Sequence, residues 1–213
     1  MEPGAPSPPP LDLEYALYAQ GCRTIAGVDE VGRGSLAGPL VAAAIILPVD
    51  DPTLTQRLGA VRDSKQLSPG QRTEAFRTIR EVAVAIGIGW AAHHVVDRRG
   101  LTAANRQALE SAVRRLSPAP EAVLIDHFTL DGLELPQVSM PKGEARSLSI
   151  AAASIVAKVV RDRWMCRCDR RFPSYGFASH KGYGTRLHID RLRAFGPSPL
   201  HRRSFQPVSG VLE

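Results

Sequence analysis

The sequence predicts an α/β fold. Short aliphatic runs of strand length, bounded by glycine and proline, alternate along the chain with segments whose apolar residues recur at helical spacing. One of the strand-like runs, EAVLID, closes on an acid, at the kind of position where open α/β sheets put their chemistry. A length of 213 residues suits one sizeable core with a small appendage.

The opening residues, MEPGAPSPPPLD, have neither the cationic region nor the apolar stretch of a secretory signal, and their prolines exclude a regular helix. Residues 1–20 are therefore expected to be a disordered Pro-rich tail, and residues 21–172 the core. RTIAGVD, from Arg23 to Asp29, reads as a strand; VGRGSLAG breaks it, and LVAAAIILP supplies a second strand to make a hairpin. After the loop DDPTLTQRLGAVRDSKQLSPG, QRTEAFRTIREVA places Phe76, Ile79 and Ala83 at helical spacing. VAIGIGWAAHHV reads as another strand. In TAANRQALESAVRRLS, Ala104, Ala108, Leu109, Ala112, Val113 and Leu116 share one helical face, and Ser117-Pro118 ends the helix. The strand EAVLID then runs to Asp126. SIAAASIVAKVVRDRWM, residues 149–165, reads as a helix capped by Ser147 or Ser149, with alanines that allow close approach to a sheet. Beyond Phe172-Pro173 the chain turns polar and basic. Residues 173–208 are expected to form a small C-terminal region with a helix around Thr185 to Phe195, leaving 209–213 as a tail.

Apolar residues at 44% and charged residues at 23% fit a folded globular protein and exclude a disordered one. No run approaches the roughly 18 apolar residues of a membrane-crossing helix, so no membrane partner is expected, and the expected location is the cytoplasm. Cys22, Cys166 and Cys168 are odd in number and lack zinc-like spacing, which argues against a disulfide framework or a structural zinc. Lys and Arg outnumber Asp and Glu by 27 to 21, a net charge of +6 that favours a polyanionic partner.

The acids carry the functional signal. Asp29 and Glu30 end an aliphatic strand, where a buried charge costs several kcal/mol unless a cation or metal meets it. Neighbours in a regular strand face opposite sides, so both reach one site only if the strand ends or bulges there; Gly32 and Gly34 supply that freedom. Asp126 closes a second strand, and Glu144 stands in a Pro-Lys-Gly-Glu turn just before the alanine-rich helix. Four carboxylates suit hard cations such as Mg²⁺ or Mn²⁺, and paired ions suit hydrolysis. Solvated or salt-bridged roles suffice for Asp50, Asp51, Asp97, Asp131 and Asp162.

The blocks GVDEVGRGSLAGPLVAAAII, DSKQLS, KGEARSLSIAAASIVAKVVRDR, YGFASHKGYGT and HRRSF, in this order, resemble ribonuclease HII from about Arg23 to Val208. The resemblance implies a ribonuclease H-like fold, a central mixed β-sheet flanked by helices with a small helical C-terminal region. It implies a divalent-metal site, Mg²⁺ or Mn²⁺ and two ions during catalysis, at Asp29, Glu30, Asp126 and a fourth carboxylate; the family ordinarily has Asp there, and this chain has Glu144. Gly32, Arg33 and Gly34 match the GRG motif whose backbone senses a ribose 2′-hydroxyl, and Tyr183 matches a tyrosine that packs on the sugar of the following nucleotide, with Tyr175 a lesser alternative. Lys65, Lys142, Lys181, Arg186, Arg202 and Arg203 become candidates for holding phosphates, Lys65 and Lys181 foremost. For His180 and His201 structural hydrogen bonds are expected ahead of proton transfer.

The implied activity is an endonuclease that hydrolyses the RNA strand of RNA–DNA hybrids and cuts 5′ of single ribonucleotides in duplex DNA, leaving 5′-phosphate and 3′-hydroxyl ends. Two rivals are a ribonuclease HIII, set aside because only about two dozen residues precede the first strand, and a catalytically silent binder of hybrids, raised by Glu144. The terminal QPVSGVLE shows no glutamine-anchored aromatic motif for a sliding clamp, and a monomer is expected.

Overall fold

The computed structural model describes residues 7–211. In chain order it holds α1 (Asp12–Ala19), β1 (Ile25–Val31), β2 (Leu40–Ile46), α2 (Leu54–Arg57), α3 (Pro69–Val82), β3 (Ala85–Ala91), α4 (His93–Arg99), α5 (Leu101–Arg114), β4 (Ala122–Asp126) and β5 (Gln137–Met140). A 3₁₀ turn at Gly143–Ala145 leads into α6 (Leu148–Arg171), followed by α7 (Phe177–His180), α8 (Arg186–Phe195) and α9 (Val208–Val211). The five strands form one mixed sheet in the order β3-β2-β1-β4-β5. β1 and β2 are the expected antiparallel hairpin, β3 adds antiparallel to β2, and β4 and β5 continue parallel to β1 on the other side.

Both faces of this sheet are covered, which is why LVAAAII of β2 is buried at every position rather than alternating. On one face lie α6, with Ala151 to Ala153, and α3, with Phe76 and Ile79, packed in one cluster with Ala43 and Ile45 of β2. On the other lies α5, whose Ala104, Ala108, Leu109 and Ala112 meet Ala26, Val28 and Ala42. The approach of α6 to β1 leaves no room for a side chain at Gly27: a Cβ there would collide with the backbone of Ser149 and Ile150. Local chemistry starts the helices, α6 and α8 where expected and α3 two residues before the expected Gln71. Ser68 and Gln71 form a reciprocal capping box at α3, Ser147 rather than Ser149 caps α6 by accepting the Ile150 N–H at 3.1 Å, and Thr185 caps α8.

Several local expectations change: Leu54–Arg57 is helical within the segment expected to be a loop, and Val208–Val211 is helical where 209–213 was expected to be a tail. Within the tail expected to be disordered, residues 12–19 are helical, because Leu11 and Leu17 are buried and Glu14 has partners far along the chain; residues 1–6 and 212–213 lie outside the described residues. The strand expected over 84–95 stops at Ala91, and His93–Arg99 turns helical. The alanine-rich helix continues past Met165 to Arg171. QVSM forms an edge strand that its short, polar sequence does not announce.

Glu14 explains why α1 is held. Its Oε1 accepts from Ser147 Oγ at 2.7 Å, Ser149 Oγ at 2.6 Å and Ser149 N–H at 3.0 Å, while Pro10 O accepts the Leu148 N–H. An acid at the positive end of a 24-residue helix is also favoured by the helix dipole. The C-terminal region is held differently, by three buried imidazoles. Ser198 N–H donates to His201 Nδ1, so His201 Nε2–H donates to His188 Nε2 at 3.0 Å, and His188 Nδ1–H donates to Tyr183 O at 2.9 Å. His180, stacked on His188 at 4.1 Å, accepts the Gly182 N–H and donates to Tyr175 O. Each ring is thereby fixed in one neutral tautomer.

Two outcomes follow from these contacts. Glu14→Ala strands three buried donors and should lower the unfolding free energy by about 2–3 kcal/mol in urea titration; an unchanged midpoint would show that α1 contributes nothing. Burial, and then the neighbouring imidazoles, push His188 and His201 down to about 4. The unfolded chain binds protons that the folded chain refuses between the ordinary histidine value of about 6.5 and that lower value, so stability declines as pH falls through this window and is unaffected above it. Thermal unfolding between pH 7 and pH 5 should show a steeper loss in the parent than in His201→Asn, and equal slopes would remove the imidazole contribution.

Candidate active site

The site is built on the carboxyl ends of β1 and β4. β1 pairs with β2 in unbroken register from Ala26–Ile46 through Asp29–Ala43 and Glu30–Ala42 to Val31–Val41. The strand neither ends nor bulges at the acids, contrary to the expectation. Instead its parallel pairing with β4 stops at Val28–Ile125, so Asp29 stands level with Asp126, the last residue of β4, and Glu30 runs past the end of that strand. Asp29 lies on the face of Gly27, towards α6, and has Ser154 beside it; Glu30 lies on the face of Val28, towards α5, and has Asn105 beside it. The gap beyond β4 lets both acids look into one cleft.

Asp126, the last residue of β4, accepts the Gly143 N–H on Oδ1 at 2.9 Å, which fastens the 3₁₀ turn carrying Glu144 to the strand end. Asp29, Glu30, Asp126 and Glu144 thus line a single cavity of about 470 Å³, together with Gly32, Arg33, Gly34, Ser64, Lys65, Ser154, Lys158 and Tyr183. Loss of water, then the like charge of Glu30, holds Asp29 well above the usual carboxylate range. Glu30 is raised by the same loss of water, partly offset by Arg33, whose Nη1 stands 3.3 Å from Glu30 Oε1. Lys65 reaches Glu144 at 3.7 Å; its partial burial works against the charge, yet Asp63, Glu144, Asp29 and Asp126 hold its proton affinity above the ordinary lysine value. Among the described residues no group of three or more His, Cys, Asp or Glu side chains is arranged to hold an ion as it stands. The acids share a cleft but each is steadied by its own cation or donor.

That donor set is all oxygen, with no thiol or imidazole lining the cavity, which fits a hard divalent cation. Anions held in a desolvated cleft at raised proton affinity are also the groups a cation would stabilise most.

The loop after β1 is shaped from below. Gly32 sits at φ +95°, in the left-handed region, with the Arg161 side chain where its Cβ would be. Ser35 Oγ donates to Gly32 O, and Arg202 Nη1 donates to Arg33 O at 2.8 Å. Arg161, fully buried on α6, donates to Pro39 O, Ala37 O, Lys181 O and Ser35 Oγ. Ser35 also bridges Tyr183, so the two segments that close the cleft are tied to each other. Lys158 Nζ and Arg161 Cζ stand 5.3 and 5.2 Å from the Tyr183 ring centre.

Several sequence-level assignments move. Arg202 is a buried strut rather than a phosphate contact, because its guanidinium is spent on the carbonyls of Arg33 and Gly38. Lys181 faces an adjoining groove, with Nζ donating to Ala178 O, and does not line the acid cleft. Arg186 pairs with Asp190 on α8, and Lys142 faces a separate cavity beside Pro8 to Pro10. Tyr175 is buried against Phe177, and His180 and His201 make the structural bonds described above. The sequence reading overlooked Asn105, Ser154, Lys158 and Arg161. A signal existed: Asn105 interrupts the apolar stripe of α5, and Ser154, Lys158 and Arg161 recur at i, i+4 and i+7 on α6. Asn105 is fully buried, and both its amide atoms are without a hydrogen-bond partner among the described residues.

Residues 26–208 match the family model described as Ribonuclease HII. A ribonuclease HII of Geobacillus kaustophilus is 52% identical over 203 residues, covering 95% of this chain and 76% of that protein. One of Chloroflexus aggregans is 49% identical over 208 residues, covering 96% and 97%. Among solved structures, the ribonuclease H2 of Pyrococcus horikoshii superposes with a TM-score of 0.76 at 24% identity over 88% of this chain and 96% of that one. An RNase HII of Archaeoglobus fulgidus, solved as a complex with PCNA, gives 0.69 at 27% over 85% and 95%. Bst-RNase HIII in complex with Mn²⁺ gives 0.65 at 24% over 92% and 71%. With its sheet order, its acid cleft and this breadth of identity, the chain belongs to the ribonuclease HII family, endoribonucleases that act on RNA–DNA hybrids.

Proposed function

We propose that this cleft hydrolyses the phosphodiester on the 5′ side of a ribonucleotide, in a hybrid or embedded singly in duplex DNA, leaving 5′-phosphate and 3′-hydroxyl ends. The observation that carries the reading is the convergence of Asp29, Glu30, Asp126 and Glu144 on the same cavity wall as the Gly32-Arg33-Gly34 loop and Tyr183. Asp29, between the other acids, would hold both of two divalent ions, Asp126 one of them, and Glu30 with Glu144 the other. Bound there, such ions supply a readied water and a stabilised leaving oxygen.

The chain itself does the rest. Gly32 and Gly34 let backbone groups come within hydrogen-bond reach of a sugar, and the 2′-hydroxyl is what separates RNA from DNA at that sugar. Tyr183, held by its Ser35 bridge and by His188, offers a flat face for the next sugar. Lys65 and Lys158 place positive charge at the cleft rim for the phosphates on either side of the cut. A neighbour of the same fold was solved with Mn²⁺, and both Mn²⁺ and Mg²⁺ fit an oxygen-only donor set. Because an archaeal relative was solved with PCNA, the lack of an aromatic motif in QPVSGVLE is no ground for excluding a sliding clamp as partner.

A duplex DNA carrying one ribonucleotide should be cut in the presence of Mg²⁺ or Mn²⁺ and left intact with chelator. Asp29→Asn should lose at least about a hundredfold in rate, the equivalent of several kcal/mol of transition-state stabilisation. Cleavage surviving either treatment would sink the reading. Glu144→Asp shortens the fourth acid by one methylene, so it should change the ratio of Mg²⁺- to Mn²⁺-supported rates and the calorimetric affinity for Mn²⁺. If both stay as in the parent, Glu144 takes no part in holding the ions.

A further inference from the structure

Next to the acid cleft, and sharing Lys158 and Tyr183 with it, lies a second cavity of about 640 Å³ between α3, α6 and α7. Its walls carry Arg72, Lys158, Arg163, Arg167, Arg170 and Lys181 against a single acid, Asp162, which Lys158 already engages at 2.9 Å. Two of the arginines are fixed in place: Arg72 by the carbonyls of Ser64 and Leu67, and Arg163 over the Phe76 ring at 4.8 Å. Arg167 and Arg170 are exposed and, among the described residues, have no hydrogen-bond or ion-pair partner.

The spacing has a direction. Arg163, Arg167 and Arg170 stand at i, i+4 and i+7 on α6, one face of the helix, while Lys158 lines the opposite flank of the groove, at the cleft. From Lys158 to Arg170 the helix rises about 18 Å, at roughly 1.5 Å per residue. One strand of a duplex presents a phosphate about every 3.4 Å of axis, so the groove from Lys158 to Arg170 spans about five phosphate steps and the arginine row itself about three. The groove has no aromatic platform apart from Tyr183 at its mouth, so it suits a sugar-phosphate backbone rather than unstacked bases.

We infer that this groove is an extended phosphate-binding track that holds the nucleic-acid duplex beyond the cleft, with Arg167 and Arg170 as its outer contacts. The inference rests on the reading of the cleft as a hybrid-cleaving site. It makes the enzyme's affinity depend on duplex outside the cut, while chemistry at the cut does not.

The test compares two substrates with one ribonucleotide each: a hairpin duplex reaching only about 2 base pairs to either side, short of Arg167, and a duplex reaching about 12, well past the track. For Arg167→Glu/Arg170→Glu, the KM on the long duplex should rise about tenfold or more with kcat unchanged, while the KM on the short hairpin stays within about twofold of the parent. The salt dependence of 1/KM on the long duplex should become shallower by about 2 in log–log slope, one for each lost phosphate contact. Arg167→Lys/Arg170→Lys keeps the charge and should behave as the parent, which separates loss of the track from a disturbed helix. An unchanged KM on the long duplex, as expected if the groove instead receives an acidic protein, overturns the inference. So does an equal rise on both substrates. Failure of the parent to cut either substrate would overturn the reading of the cleft itself.

Discussion

Two adjacent acids in one continuous strand impose the constraint around which the site is arranged. Because β1 stays regular through Asp29 and Glu30, their side chains leave the sheet on opposite faces, and neither face of a covered sheet welcomes a carboxylate. The fold answers by ending β4 at Asp126, level with Asp29, so that Glu30 stands past the end of that strand and the acids share open space. The helices on the two faces then meet each acid with a small polar group, Ser154 on α6 for Asp29 and Asn105 on α5 for Glu30. The glycine that lets α6 lie against β1, Gly27, is two residues before Asp29 on the same face, so the close packing and the polar contact come from one approach of helix to strand.

Positive charge is distributed by a related logic. Arg161 and Arg202 are fully buried, which a guanidinium tolerates only with its donors satisfied. Both spend those donors on carbonyls and a hydroxyl rather than on the acids of the cleft. Burial, and for Arg202 also the proximity of Arg161, lowers their hold on the proton, to about 9 for Arg202. Beside the carboxylates stand more exposed cations, Arg33 on Glu30 and Lys65 on Glu144, whose side chains are 40% and 82% exposed. Buried cations shape the loops; exposed ones meet the acids.

The alternation of strands and helices was legible because most of the elements carry their own period: the aliphatic β2, the stripe of α5, the capped α3 and α6. What escaped notice depends on partners distant in sequence. The helix Asp12–Ala19 is held by Glu14 reaching Ser147 and Ser149, more than 130 positions away, and nothing in DLEYALYA announces such a contact. QVSM is a strand only because β4 offers it an edge. In the site, the four acids could be named from their places at strand ends and in a turn, whereas the geometry that joins them could not. The expected bulge at Asp29-Glu30 was the economical solution from one strand alone, and the shortness of β4 becomes visible only in the register of the pair. Arg202 was misjudged for a similar reason: a cation in a basic segment looks free until its carbonyl partners are seen.

Glu144 shows how such anchoring turns a small sequence change into a chemical one. Its turn is fixed before and behind, by the Gly143 N–H on Asp126 and by the start of α6, where Ser147 N–H returns to Gly143 O and Ser147 Oγ is held by Glu14. Gly143 itself sits close against Ile150 and Asp126: a Cβ there would lie 2.8 Å from Ile150 Cδ1 and 3.4 Å from Asp126 Cβ. An extra methylene therefore cannot be absorbed by moving the backbone back; it has to appear as a displacement or a different approach angle of the carboxylate. An ion that demands near-ideal octahedral geometry feels that displacement more than a tolerant one does. On the proposed reading of the cleft, the rigidity of the scaffold, more than the length of the side chain alone, would make the fourth acid a determinant of which ion is preferred.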